Sequence, residues 1–145
     1  MSPWDFLHPH VIELAVRAAD IDAYGHVNNS VYLTWLDQVA WSHSAALGVP
    51  LEECLRLRRG MAAQRLEIDY LRAAFAAEQL QVGTWIIASD GRLRCSRHFQ
   101  ILRAADASTL ARARVDYVCI NLDSGRATRM PDRFMRSYVI TAGGA

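Results

Sequence analysis

Between Val11 and Arg17 the chain alternates, with Ile12, Leu14 and Val16 on one side and Glu13, Ala15 and Arg17 on the other. That period of two predicts a half-buried strand. The pattern then changes period. Tyr32, Trp35, Leu36, Val39, His43 and Ala46 recur at helical spacing and predict a long helix with one broad buried face. The helix is expected to start near Asn29, capped by Asn28 or Asn29, and to stop at Gly48 and Pro50. Leu51–Arg59 adds a short turn before Gly60.

Beyond Gly60 the period returns to two. Leu66, Ile68 and Tyr70 oppose Arg65, Glu67 and Asp69, which predicts a strand over 65–71. Leu80–Ala88 is rich in β-prone residues, and Ser89-Asp90-Gly91 predicts a hairpin turn. Arg92–Arg103 is a long strand with weaker alternation, Ala104–Ser108 its turn. Leu110–Leu122 is another long strand, followed by the turn Asp123-Ser124-Gly125. Pro131–Tyr138 predicts a short helix, and the closing Gly-Gly-Ala a mobile end. One strand, one long helix and four strands in hairpins define an α+β fold, an antiparallel sheet with a single helix packed on it. Trp35 and Trp41 lie on different helix faces, so the sheet is expected to curl around the helix.

A chain of 145 residues, 52% hydrophobic and 21% charged, predicts a single globular domain over 1–145. The net charge of +1 provides no field that would recruit nucleic acid or a membrane surface. No leader-like or membrane-length apolar segment is visible, so the expected location is the cytoplasm. All sixteen basic residues are Arg. This excludes a Schiff-base or phosphate-loop lysine and leaves Arg as the only long cation for an anionic ligand. Cys54, Cys95 and Cys119 lack metal-ligand spacing and are expected to be buried free thiols; no metal or cofactor is implied.

The chemistry is concentrated in Asp20-Ile-Asp22-Ala-Tyr24-Gly-His26-Val-Asn28-Asn29, directly before the apolar helix. The unpaired N–H groups of a helix start polarise a carbonyl, and a nearby carboxylate attacks or activates water. Asp22 equally suits an Asx turn. The order Asp22-x-x-x-His26-Val-Asn28-Asn29, with Tyr32, Trp35, Leu36 and Asp37 following, resembles the hot-dog fold thioesterases of the 4-hydroxybenzoyl-CoA thioesterase group.

That resemblance implies a curled sheet of about five strands around one long helix, in a homo-oligomer, a dimer or tetramer, with each active site between two subunits. It implies hydrolysis of a small-molecule acyl-CoA, with Asp22 as nucleophile or general base and the amide near Asn29 as carbonyl donor. His26 fits the Asp-x-Asn-x-His element of related acyl carrier protein thioesterases, except that Tyr24 occupies the Asn position. Asn28, Tyr32 and Asp37 are candidates for substrate binding, beside their plainer readings as cap, core aromatic and solvated helix residue. Arg126 and Arg129, with Arg92, Arg94 and Arg97 as further candidates, are expected to meet the nucleotide phosphates of coenzyme A. A hot-dog dehydratase is disfavoured, because no His-x-x-x-x-Pro-Gly string occurs. A non-catalytic acyl-binding protein on the same fold is the remaining alternative.

Overall fold

In the computed structural model, which describes residues 1–143, the helix is where its cap places it. The Asn28 side chain accepts the Ser30 N–H at 3.0 Å, and α1 runs Asn29–Ala46. Its buried residues are Tyr32, Trp35, Leu36, Val39, Ala40, His43 and Ser44. Ala46 is exposed instead, because the buried stripe drifts toward Ala40 and Ser44. The stretch expected as a turn is a two-turn helix, α2 (Leu51–Leu57), closed by Arg58 in the left-handed region.

Five strands form one antiparallel sheet: β1 (His10–Ala15), β2 (Arg59–Tyr70), β3 (Gln79–Ser89), β4 (Arg94–Arg103) and β5 (Thr109–Asn121), in the order β1-β3-β4-β5-β2. The hairpins β3–β4 and β4–β5 are as expected. In the first, Asp90 Oδ1 accepts the N–H groups of Arg92, Leu93 and Arg94 at 2.8–2.9 Å. The expectation that all four later strands form hairpins fails at β2, which does not pair with β3. It pairs with β5, from Arg59 opposite Asn121 to Tyr70 opposite Ala111, and leaves its other edge open. β2 also starts six residues earlier than its alternation predicts. A register shift between Ala63 and Arg65 switches faces there, so Met61 and Ala63 share the helix side with Ile68 although their spacing breaks the period.

On the concave side, α1 covers a core of Val39, Leu80, Val82, Phe99, Ile101 and Leu110. A second cluster, with Val49, Cys54, Ile86, Cys95, Cys119 and Phe134, lies toward α2 and α3 (Asp132–Ser137). The three cysteines are free and buried, as expected. The convex side is covered by the N-terminal segment, which has no recognisable pattern in the sequence. Asp5 receives Arg112 Nε at 2.8 Å and Nη2 at 2.9 Å, and shares a 2.8 Å bond with His98 Nε2. Trp85 Nε1–H donates to the Leu7 carbonyl at 2.8 Å. Gly143 is bridged to Leu7, and Gly144 and Ala145, the rest of the closing segment, lie outside the described residues.

Candidate active site

The loop that carries Asp22 is pinned at both ends. Ile21 and Val27 form a β-bridge, and the Asp20 carbonyl accepts the Asn28 N–H at 2.9 Å. The Asp20 carboxylate, 4% exposed, takes the Arg17 N–H at 2.9 Å and its guanidinium at 3.2 Å, which locks the loop from below. Within it, Gly25 N–H donates to the Asp22 carbonyl at 3.0 Å, and Gly25 itself needs its positive φ of 84°. Asp22, first residue of this turn, is thereby held in the loop that leads into α1.

Asp22 Oδ1 accepts the Tyr24 N–H at 2.9 Å, so the Asx-turn role is real. Its second carboxylate oxygen takes no bond among the described residues and remains available. Asn28 is the helix cap, and the Asn29 N–H has no hydrogen-bond partner among the described residues. The His26 ring lies 6.1 Å from Tyr24, stacked, and 6.2 Å from Phe75, edge on, half-buried in the same loop. These residues are brought together. Tyr32 is not open to a ligand: it is core, its hydroxyl accepting the Ala74 N–H at 3.2 Å.

The other candidates lie elsewhere. Tyr70, whose hydroxyl donates to the Asn29 carbonyl at 2.9 Å, marks the Asp22 end of β2. Arg126 and Arg129 are exposed on the return from β5, near Asn121 and thus at the Arg59 end of β2. Eleven residues of strand, about 35 Å, separate the two ends. Asp37 is exposed and lines a cavity near that distant end, together with Ala63 and Met61 of β2, Ser44 of α1, Arg97 of β4 and Tyr138.

This cavity, of about 150 Å³, has no signal in the sequence. Arg97, offered above for surface phosphates, is 2% exposed and points into the interior, out of reach of a nucleotide on the surface. Its Nη1–H donates to His43 Nδ1 at 2.6 Å and its Nη2–H to Ser44 Oγ at 3.0 Å. Ser44 is also bonded to the Tyr138 hydroxyl at 3.0 Å, and His10 stacks on His43 with ring centres 4.9 Å apart. Burial first, then the Arg97 charge and His10, hold His43 down at about 3, so the ring is neutral and free to accept from Arg97. Burial pushes the Tyr138 phenol up to about 12 and that of Tyr117 higher still, which keeps both hydroxyls protonated. Among the described residues no group of His, Cys, Asp and Glu is arranged to hold a metal ion, and no helix is long and apolar enough to cross a membrane.

A curled five-stranded antiparallel sheet packed on one long helix, with a pinned acidic loop before the helix, is the hot-dog architecture of thioester hydrolases. The pattern of the Thioesterase-like superfamily matches residues 16–137, and the chain belongs to that family. Solved structures agree in fold. A 1,4-dihydroxy-2-naphthoyl-CoA thioesterase from Synechocystis superposes with a TM-score of 0.80 at 22% identity, over 90% of this chain and 96% of that chain. A DHNA-CoA thioesterase from Staphylococcus aureus gives 0.78 at 21% identity, over 83% and 80%. A hypothetical protein from the same organism, solved in complex with CoA, gives 0.81 at 18% identity, over 92% and 83%.

Proposed function

We propose that this thioester hydrolase cleaves acyl-CoA, with Asp22 of one copy acting on a thioester whose acyl group lies in the cavity of a second copy. The observation that carries the assignment is that Asp22, with one carboxylate oxygen unbonded among the described residues, lies in the pinned loop that leads into α1, whose Asn29 N–H is likewise unpartnered. As the thioester carbonyl becomes tetrahedral, its oxygen gains charge, and a helix-start N–H aimed at it stabilises that charge. Asp22 either attacks the carbonyl carbon to give a mixed anhydride that water then opens, or removes a proton from the attacking water. Both routes expel the CoA thiolate, add the elements of water and release the free acid.

Distances within one chain support a second copy. In one chain the Asp22 loop and the Asp37 cavity stand at opposite ends of β2, as do Asp22 and the pair Arg126 and Arg129. The open edge of β2 is the natural surface for a partner, since an unpaired edge offers a full row of N–H and C=O groups. Antiparallel pairing of β2 with β2 about a two-fold axis sets the Tyr70 end of each copy beside the Arg59 end of the other. That brings the Asp22 loop of one copy toward the cavity and surface arginines of its partner, with both helices on the same side of a ten-stranded sheet, about twice the single one. Coenzyme A as the carrier is supported by the CoA complex of one structural neighbour and the CoA substrates named for two others. Three buried free thiols fit a reducing compartment such as the cytoplasm.

Thiol release from a panel of short, long and aromatic acyl-CoAs and acyl carrier protein thioesters tests the proposal. Asp22→Asn keeps the shape and the turn bond and should lower turnover at least ~100-fold without altering the circular dichroism spectrum. A folded D22N enzyme with near-normal turnover removes Asp22 from the reaction. Hydrolysis of carrier-protein thioesters alone would replace coenzyme A.

A further inference from the structure

Arg97 is a buried cation without a counter-ion. Among the described residues no carboxylate lies within ion-pair distance of it. Its partners, His43 and Ser44, are neutral acceptors that occupy two N–H groups of the five a guanidinium offers. A charge taken out of water is ordinarily paired, because dipoles alone replace only part of its hydration. The one acidic side chain on the cavity wall, Asp37, is exposed at the rim and does not reach Arg97. Rim charges are screened by solvent and salt, whereas the charge at the closed end is not.

We propose that the cavity bounded by Arg97, Ser44 and Tyr138 receives a carboxylate at the far end of the acyl group, so that the preferred substrates are half-thioesters of compact dicarboxylic acids. The planar guanidinium fork matches a carboxylate, and of the bonded Tyr138 and Ser44 hydroxyls beside it, the one that accepts in their mutual bond keeps its own proton to donate to the same group. The walls beyond them, Ala40, Cys54 and Met61, suit a short hydrocarbon spacer. A cavity of about 150 Å³ has room for roughly one benzene ring, so the acyl group is short. His43 fixes the fork: its Nδ1 lone pair holds Nη1, and Ser44 holds Nη2, so the guanidinium is oriented before a ligand arrives. The inference rests on the thioesterase reading for the word substrate, and on the geometry of Arg97 alone for the anion site.

The test compares thiol release from glutaryl-CoA and from hexanoyl-CoA, which is similar in length but ends in a methyl group. The wild-type protein should favour glutaryl-CoA by at least ~10-fold in kcat/KM, the least that a buried hydrogen bond to a charged group supports. Arg97→Met, similar in bulk and apolar, should bring that ratio to about one. Should R97M fail to fold, Ser44→Ala is read instead and should lower the ratio several-fold by loosening the fork. Equal kcat/KM for the two thioesters in the wild type, or an undiminished preference in folded R97M or S44A, overturns the proposal. A separate readout needs no hydrolysis: benzoate should raise the melting temperature of the wild type more than benzamide does, and not that of R97M. If no thioester is cleaved at all, the catalytic reading fails while benzoate still reports on the anion site. Benzoate binding without a preference for glutaryl-CoA shows that Arg97 holds free acid only, and overturns the substrate assignment.

Discussion

Gly83→Ala isolates the contact that closes the convex face. Gly83 lies in β3, between Val11 of β1 and Gln100 of β4, and the Trp4 ring lies flat over it. An added Cβ would stand 2.6 Å from Trp4 Cζ3, 3.0 Å from Cη2 and 3.2 Å from Cε3. Trp4 cannot yield cheaply. It packs edge-on against Trp85 with ring centres 5.9 Å apart, and its neighbours Pro3 and Asp5 are bonded to Gln100 at 2.9 Å and 2.8 Å. Overpacking of this kind costs about 1–3 kcal/mol, and Ala in a strand recovers about 0.5–1 kcal/mol over Gly. The net loss is at most about 2.5 kcal/mol and centred near 1 kcal/mol, or roughly 2–4 °C in Tm at that centre for a domain of this size. In a Trp4→Ala background the new methyl no longer meets these three ring atoms, so the same G83A change should be neutral or stabilising. Thermal or urea unfolding of the four proteins of this cycle gives the coupling directly. The same G83A effect with and without Trp4 would refute the contact.

Two further outcomes are expected. Burial, Arg97 and His10 place the folded-state value of His43 far below its unfolded value of 6.5, so the unfolded chain binds the extra proton. Stability should therefore fall as pH drops below about 6.5, with His10, also held low by burial and Arg97, adding to the slope; urea midpoints between pH 7 and pH 5 should show this loss in wild type and a smaller one in His43→Gln, and identical slopes would contradict it. Replacing Arg126 and Arg129 together by Ala should raise KM for acyl-CoA several-fold with little change in kcat, and have little effect on a pantetheine thioester; equal losses on both substrates would make the pair structural.

Much of this arrangement is legible in the chain, and the gaps have physical causes. The α1 boundaries follow from the Asn28 cap and Gly48, and β1, β3, β4 and β5 from their period and turns. β2 is only half legible because its bulge breaks the alternation, and its neighbour is not legible because pairing with β5 is a long-range contact with no local signal. β4 lacks clean alternation for a different reason. The N-terminal segment covers its second face at Gln100, which is as hidden as Phe99. The acidic loop could be found because its residues are contiguous. The Arg97 cavity could not, since His43, Ser44, Arg97 and Tyr138 are joined only by folding, and an arginine in a strand reads as a solvent-facing charge. A buried arginine opposite a helix His-Ser pair is a signal only once α1 is known to cross β4.

The account turns on Asp22 of one copy serving the cavity of another, and mixing two inactive variants tests it. Asp22→Asn abolishes the carboxylate, and Ala63→Trp fills the cavity from β2, where an aromatic suits the strand. Each should be nearly inactive alone. Unfolded together and refolded at equal concentration, half of the dimers are hybrids, and in each hybrid one site joins an intact Asp22 to an intact cavity. Thiol release should then recover to about one quarter of the wild-type rate. Recovery no greater than the sum of the two variants would place Asp22 and its substrate within a single chain and contradict the shared site.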